Sequence, residues 1–166
     1  MAISTEDIRR LREATGAGVM ECKRALDETG GDFDQAQKLL KTRGAIIAQK
    51  KADRAALEGL VDSYIHPGGR IGVLLEVNCE SDFVARSDDF KQLVRDLAMQ
   101  IAAMAPLRIG TEADLDQDGV EDDQILLKQA FIRDPSATVE DRINETVGRV
   151  RERIVVRRFA RFELGA

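Results

Sequence analysis

Over the first fifty residues the apolar positions recur at three- and four-residue steps, and glycines interrupt them. Ser4 with Asp7 makes a capping signal, and Ile8 and Leu11 begin an apolar stripe that stops at Thr15-Gly16-Ala17-Gly18, where glycine permits a sharp reversal. Val19, Cys22 and Leu26 resume the helical period until Thr29-Gly30-Gly31. Asp32 is a good N-cap for a third segment, with Phe33, Ala36, Leu39 and Leu40 on one face and Gly44 at its end. Residues 1–44 therefore read as a three-helix bundle. Residues 45–58, rich in Ala and Lys with little apolar periodicity, read as a helical or partly ordered linker.

The period then changes from helical to alternating. Gly59 to His66 is rich in strand formers, Pro67-Gly68-Gly69 is a turn, and Ile71, Val73, Leu75, Val77 and Cys79 alternate cleanly, which predicts a β-hairpin with one buried face. Phe90, Leu93, Val94, Leu97, Ile101 and Met104 mark the strongest helix of the chain, suited to covering the sheet. Residues 111–123 read as an acidic loop and Ile125 to Phe131 as a short helix. Thr138 with Asp141 caps a helix carrying Ile143, Val147 and Val150. Ile154 to Leu164 returns to strand character, with Ile154, Val156, Ala160, Phe162 and Leu164 on one face. The fold class is α+β: an N-terminal three-helix bundle, then a small antiparallel sheet packed with helices over residues 59–166.

Composition narrows the function. A charged fraction of 33% is that of a folded globular protein, and no run approaches the roughly 18 apolar residues of a membrane span. The N-terminal Met-Ala-Ile-Ser-Thr-Glu-Asp does not have the form of a signal peptide, so a cytoplasmic protein with no membrane partner is expected. Cys22 and Cys79 lie far apart among apolar neighbours and read as buried, reduced thiols. Residues 55–148 hold 19 acidic against 8 basic side chains, which argues against direct nucleic-acid binding, although residues 149–166 carry 6 arginines against 2 glutamates and could form a local basic patch.

Little in the chain resembles catalytic apparatus. Asp114-x-Asp116-x-Asp118-Gly119 begins like a calcium loop, but the position that should hold a bidentate Glu is Ile125, so a solvated acidic loop is the better reading. His66 is the only histidine and cannot build a metal cluster or a histidine pair, and Thr15-Gly16-Ala17-Gly18 lacks a phosphate-loop lysine. No metal and no cofactor are expected. Asn78-Cys79-Glu80-Ser81-Asp82-Phe83-Val84-Ala85-Arg86 is different, because it leaves a buried strand and must enter a strong helix within a few residues. Ser81 or Asp82 can cap a short turn there. Phe83 then either folds back into the core or projects as an anchor for a partner.

At these residues the chain resembles the translation elongation factor Ts family, the guanine-nucleotide exchange factors of elongation factor Tu. The matching segments run from Leu11 to Leu26, then Gly30-Gly31-Asp32, Lys50-Lys51-Ala52, Tyr64-Ile65-His66, Gly72 to Ala85 and Val156 to Leu164, nearly the whole chain in the family's order. The resemblance implies that the bundle is of the ubiquitin-associated type and docks on the GTPase domain of elongation factor Tu through Arg12, Thr15, Gly16, Gly18, Val19 and Met20, with Val19 in place of the usual methionine. It also implies that Ser81, Asp82, Phe83 and Val84, with Ser for the usual Thr, wedge between helices of the GTPase, disturb its magnesium site and release GDP. Residues 105–135 are compressed relative to many relatives, Arg151-Glu152-Arg153 replaces a common Gly-Glu-Asn stretch, and a single core implies a homodimer or partner-induced pairing. The competing reading is a non-catalytic adaptor that uses the bundle to bind another protein.

Overall fold

Helix initiation follows the capping residues. In the computed structural model, which describes residues 3–110 and 121–166, Ser4 accepts the Asp7 N–H at 3.0 Å while Asp7 accepts the Ser4 N–H at 3.2 Å, opening α1 (Thr5–Thr15). Gly16 closes that helix in the left-handed region at φ 66°. Helix α2 (Val19–Glu28) ends at Thr29, and the Gly31 N–H returns to the Leu26 carbonyl at 2.8 Å. Asp32 then caps α3 (Phe33–Lys50). Leu11, Cys22, Ala25, Leu26 and Ala36 form the bundle's own buried cluster.

Helix α3 does not stop at Gly44. It runs six residues further, because Ile47 and Ala48 pack against the main core rather than hanging in a linker. Gly44 is buried within the helix and serves a different purpose: a Cβ there would stand 2.8 Å from the carbonyl oxygen of Asn144. The missing side chain lets α3 lie against the backbone of a later helix.

The main sheet has the order β1-β2-β5, antiparallel throughout, from β1 (Glu58–Ile65), β2 (Ile71–Cys79) and β5 (Val155–Glu163). Between β2 and β5 come a single turn of helix, α4 (Asp82–Ala85), and α5 (Asp88–Met104), whose Phe90, Leu93, Val94, Leu97 and Ile101 are fully buried. Residues 122–131 are not one short helix. They form two 3-10 turns, Asp122–Gln124 and Leu126–Lys128, leading into a small hairpin of β3 (Ala130–Phe131) and β4 (Asp134–Thr138). Buried Gln100 on α5 holds that hairpin, donating to the Ala130 carbonyl at 3.1 Å and accepting the Ile132 N–H at 2.7 Å. Helix α6 (Val139–Val150) follows, opened by the Thr138–Asp141 capping box. The acidic Asp114-Asp116-Asp118-Gly119 stretch lies outside the described residues.

Strand β5 departs from simple alternation. A register shift between Glu76 and Val77 inserts one residue on the β5 side, so Ile154 and Val156 are buried but Phe159 and Arg161 take the inner face after it. Phe162 and Leu164 therefore point outward instead of joining Ile154 and Val156. The shift explains why a period-two reading of the whole strand fails.

Candidate functional site

Ser81 is the N-cap of α4, and its hydroxyl accepts the Val84 N–H at 3.3 Å. A helical turn advances each side chain by about 100°, so Val84 and Ala85 seat in the core while Asp82 and Phe83 face solvent. Phe83 is 77% exposed. Of its two possible fates the structure shows projection. Asp82 pairs with Arg86 at 2.5 Å, but both side chains are largely exposed, so the pair stabilises little and its charges remain available to a partner.

The turn is clamped from the segment before β5. Glu152 Oε2 accepts the N–H groups of Glu80 (3.1 Å) and Ser81 (2.9 Å), and its Oε1 accepts the Ser81 hydroxyl at 2.6 Å. In return Glu80 Oε1 accepts the Arg153 N–H at 2.7 Å, while Glu80 Oε2 pairs with Arg54 at 3.2 Å. The Cys79 thiol lies beneath, donating to the Ser81 carbonyl at 3.2 Å. Burial, reinforced by the Glu152 charge, pushes its pKa up to about 11, so it stays a neutral thiol.

The Arg153 N–H foremost, then Arg54 and Lys51, hold the Glu80 carboxyl below its usual range against the opposing effect of burial. A carboxylate whose folded pKa is depressed contributes stability above its unfolded pKa and loses it as pH falls through the folded value. Thermal melts of the parent and Glu80→Gln chains should therefore differ most at neutral pH and converge below about pH 4.3, the ordinary Glu value. A gap unchanged down to pH 3 would show that the carboxylate charge is not what holds this contact.

The N-terminal candidates divide by placement. Arg12, Gly16, Gly18, Val19 and Met20 are exposed around the α1–α2 loop. Thr15 is buried, its hydroxyl donating to the Leu11 carbonyl at 2.7 Å and accepting the Ala17 N–H at 3.3 Å, so it shapes the loop from within. Beside it lies the guanidinium of Arg149, which donates to the Thr15 carbonyl at 2.9 Å and would have to shift to admit a Cβ at Gly16. His66 is exposed at the hairpin end and meets the Tyr64 hydroxyl at 3.1 Å. Among the described residues no group of three or more His, Cys, Asp or Glu side chains is placed to hold a metal ion, and no helix is long and apolar enough to cross a membrane.

Glu152 and Arg149 were invisible to sequence reasoning as parts of this site. Glu152 lies 71 residues from Ser81, and Arg149 lies 134 from Thr15, with no local pattern to connect them. The one available signal was that Arg151-Glu152-Arg153 places three charges directly ahead of the segment read as a strand.

Comparison with known proteins gives consistent results. The model of the family described as "Elongation factor TS" matches residues 20–131. The chain is similar to the elongation factor Ts of Geotalea daltonii, at 45% identity covering 99% of this chain and 91% of the relative. It is similar as well to those of Coprothermobacter proteolyticus (43% identity, 99% and 100%) and Syntrophobacter fumaroxidans (41% identity, 100% and 98%).

Proposed function

The chain belongs to the elongation factor Ts family and is a translation elongation factor, and from that premise we propose that it is a guanine-nucleotide exchange factor of elongation factor Tu. The loop of Arg12, Thr15, Gly16, Gly18, Val19 and Met20 docks on the GTPase domain of elongation factor Tu. Ser81, Asp82, Phe83 and Val84 form the wedge that disturbs the magnesium site and lets GDP leave. The protein makes and breaks no covalent bond, and its place of action is the cytoplasm, where translation proceeds. The observation that carries this reading is the exposed Phe83 ring on a turn held by the capping Ser81 and the buried Val84 and Ala85. The ring adds little to the packing of the fold, and aromatic side chains are enriched at interfaces. Whatever weakens nucleotide binding is in turn displaced by returning nucleotide, so the action is reciprocal.

The test is GDP release from elongation factor Tu, followed with a fluorescent GDP analogue and the full-length chain. Release should accelerate in proportion to added chain until it saturates. A rate equal to spontaneous release at every concentration would overturn the assignment and leave the adaptor reading in its place.

We also propose that two copies pair. The outer face of the three-stranded sheet carries Val61, Ile65, Leu74 and Phe162, each at least half exposed, beside the Glu76–Arg158 ion pair at 2.8 Å. An exposed apolar sheet face of this kind suits a second copy related by a two-fold axis. Phe162→Asp should shift light-scattering mass from dimer to monomer without lowering the thermal midpoint of the isolated fold. A monomeric parent, both alone and with elongation factor Tu, would rule the pairing out.

A further inference from the structure

The last turn of α6 and the residues that follow it toward β5 contact both proposed partner-binding elements within five positions. Arg149, with its side chain 17% exposed, donates to the Thr15 carbonyl and pairs with Glu145 at 2.5 Å, fixing the α1–α2 loop from behind. Arg151 pairs with Glu21 at the start of α2. Glu152 then accepts three hydrogen bonds from Glu80 and Ser81, and Arg153 gives its N–H to Glu80 and its guanidinium to the Arg54 carbonyl. The chain reverses between these two sets of contacts at Arg151, which holds a left-handed φ of 60° without being glycine. This is the left-handed cap that closes α6, with the Arg151 N–H on the Val147 carbonyl at 2.8 Å, and the contacts on either side of it reach the loop and the tip.

We propose that residues 149–153 form a strut that sets the position of the Ser81–Val84 tip relative to the N-terminal docking loop, with Glu152 as the positioning residue for nucleotide exchange. The proposal rests on the exchange reading above. Ser81 is the pivot: its hydroxyl both donates to Glu152 and accepts from Val84, so the carboxylate fixes the cap, the cap fixes α4, and α4 aims Phe83. A wedge is effective only when it meets its target in one orientation, since misplacement by about an ångström can cost two orders of magnitude in rate. Loss of Glu152 therefore leaves Phe83 present but loosely aimed.

The expected signature lies in how the kinetics divide. Docking depends on the α1–α2 loop, and Glu152 does not touch it. Glu152→Ala should lower the saturating rate of GDP release from elongation factor Tu about tenfold, equivalent to about 1.4 kcal/mol of barrier. The half-saturating concentration should change less than about twofold, because only the step after docking is affected. Glu152→Gln keeps the volume and one acceptor oxygen for the Glu80 and Ser81 N–H groups, but it turns an NH2 donor toward the Ser81 hydroxyl and loses the charge, so it should recover only part of the rate. If Glu152→Ala fails to fold, Glu152→Gln decides: a rate below the parent at unchanged half-saturation supports the strut, and the full parent rate overturns it. If Glu152→Ala folds, a parental rate overturns the strut, and so does an equal loss in rate and docking. Phe83→Ala run alongside separates the two ideas. A slow Phe83→Ala with a parental Glu152→Ala sinks the strut alone, whereas a parental Phe83→Ala sinks the wedge and the strut with it.

Discussion

Phe83→Ala is expected to slow stimulated GDP release about ten- to a hundredfold, since burying a phenylalanine is worth roughly 1.5–3 kcal/mol and each 1.36 kcal/mol or so is a factor of ten. The fold should be almost untouched, because the ring is 77% exposed and its loss removes little packing. The same figures limit what Phe83 does alone. A thousandfold acceleration needs about 4 kcal/mol of barrier reduction, more than one ring supplies. On the proposed mechanism the remainder is expected from Asp82, whose charge pairs with the exposed Arg86, and from the docking of the bundle. Stimulated release measured with the Phe83→Ala chain at saturation gives the answer directly. A parental rate would mean that the ring is not the wedge.

The tip was legible in the sequence because its determinants are local. A buried strand, a residue able to cap a short turn and the onset of a strong helix all lie within one short stretch. What remained open was the direction of Phe83, since a single turn of helix has no periodicity to reveal a face. The starts of α1, α2, α3, α5 and α6 and the β1–β2 hairpin were equally plain, marked by their periods and by caps or Pro67-Gly68-Gly69, whereas the pattern suggests an end for α3 at Gly44, six residues early.

The features that escaped are set by distant partners. The β3–β4 hairpin has strands too short to alternate and contains Pro135, and its anchor is the side chain of Gln100 about thirty residues earlier. The β5 bulge is imposed by pairing with β2, and a one-residue shift exchanges every later side chain between faces. Glu152 shows the same logic at the site itself, a carboxylate whose three donors all come from another part of the chain. Local patterning reveals which segments form elements, whereas contacts across the chain decide how those elements are aimed.

Gly44→Val should produce the largest loss of stability, and its sign runs against helix propensity. Gly44 stands inside α3, where replacing glycine by alanine would ordinarily gain about 1 kcal/mol. Here a Cβ would lie 2.8 Å from the Asn144 carbonyl oxygen and 3.3 Å from its carbon, and the nearest atom across the crossing is backbone, which cannot swing aside. On the other side, a Cβ on Gly148 would stand 3.4 Å from the Gly44 Cα, so the two helices meet through paired glycines. Helix α6 cannot retreat easily, since Val139, Ile143 and Val147 hold it in the core. Overpacking of this kind costs about 1–3 kcal/mol, and rigid backbone on the far side places valine near the top of that range. For a chain of this size the thermal midpoint should fall by roughly 5–10 °C, with Gly44→Ala intermediate. A graded loss from Gly to Ala to Val identifies the crossing as steric, whereas a rise on Gly44→Ala would show that α3 and α6 are not in backbone contact. Because α6 leads directly into residues 149–153, forcing it away from α3 should also slow nucleotide exchange at temperatures where the variant remains folded.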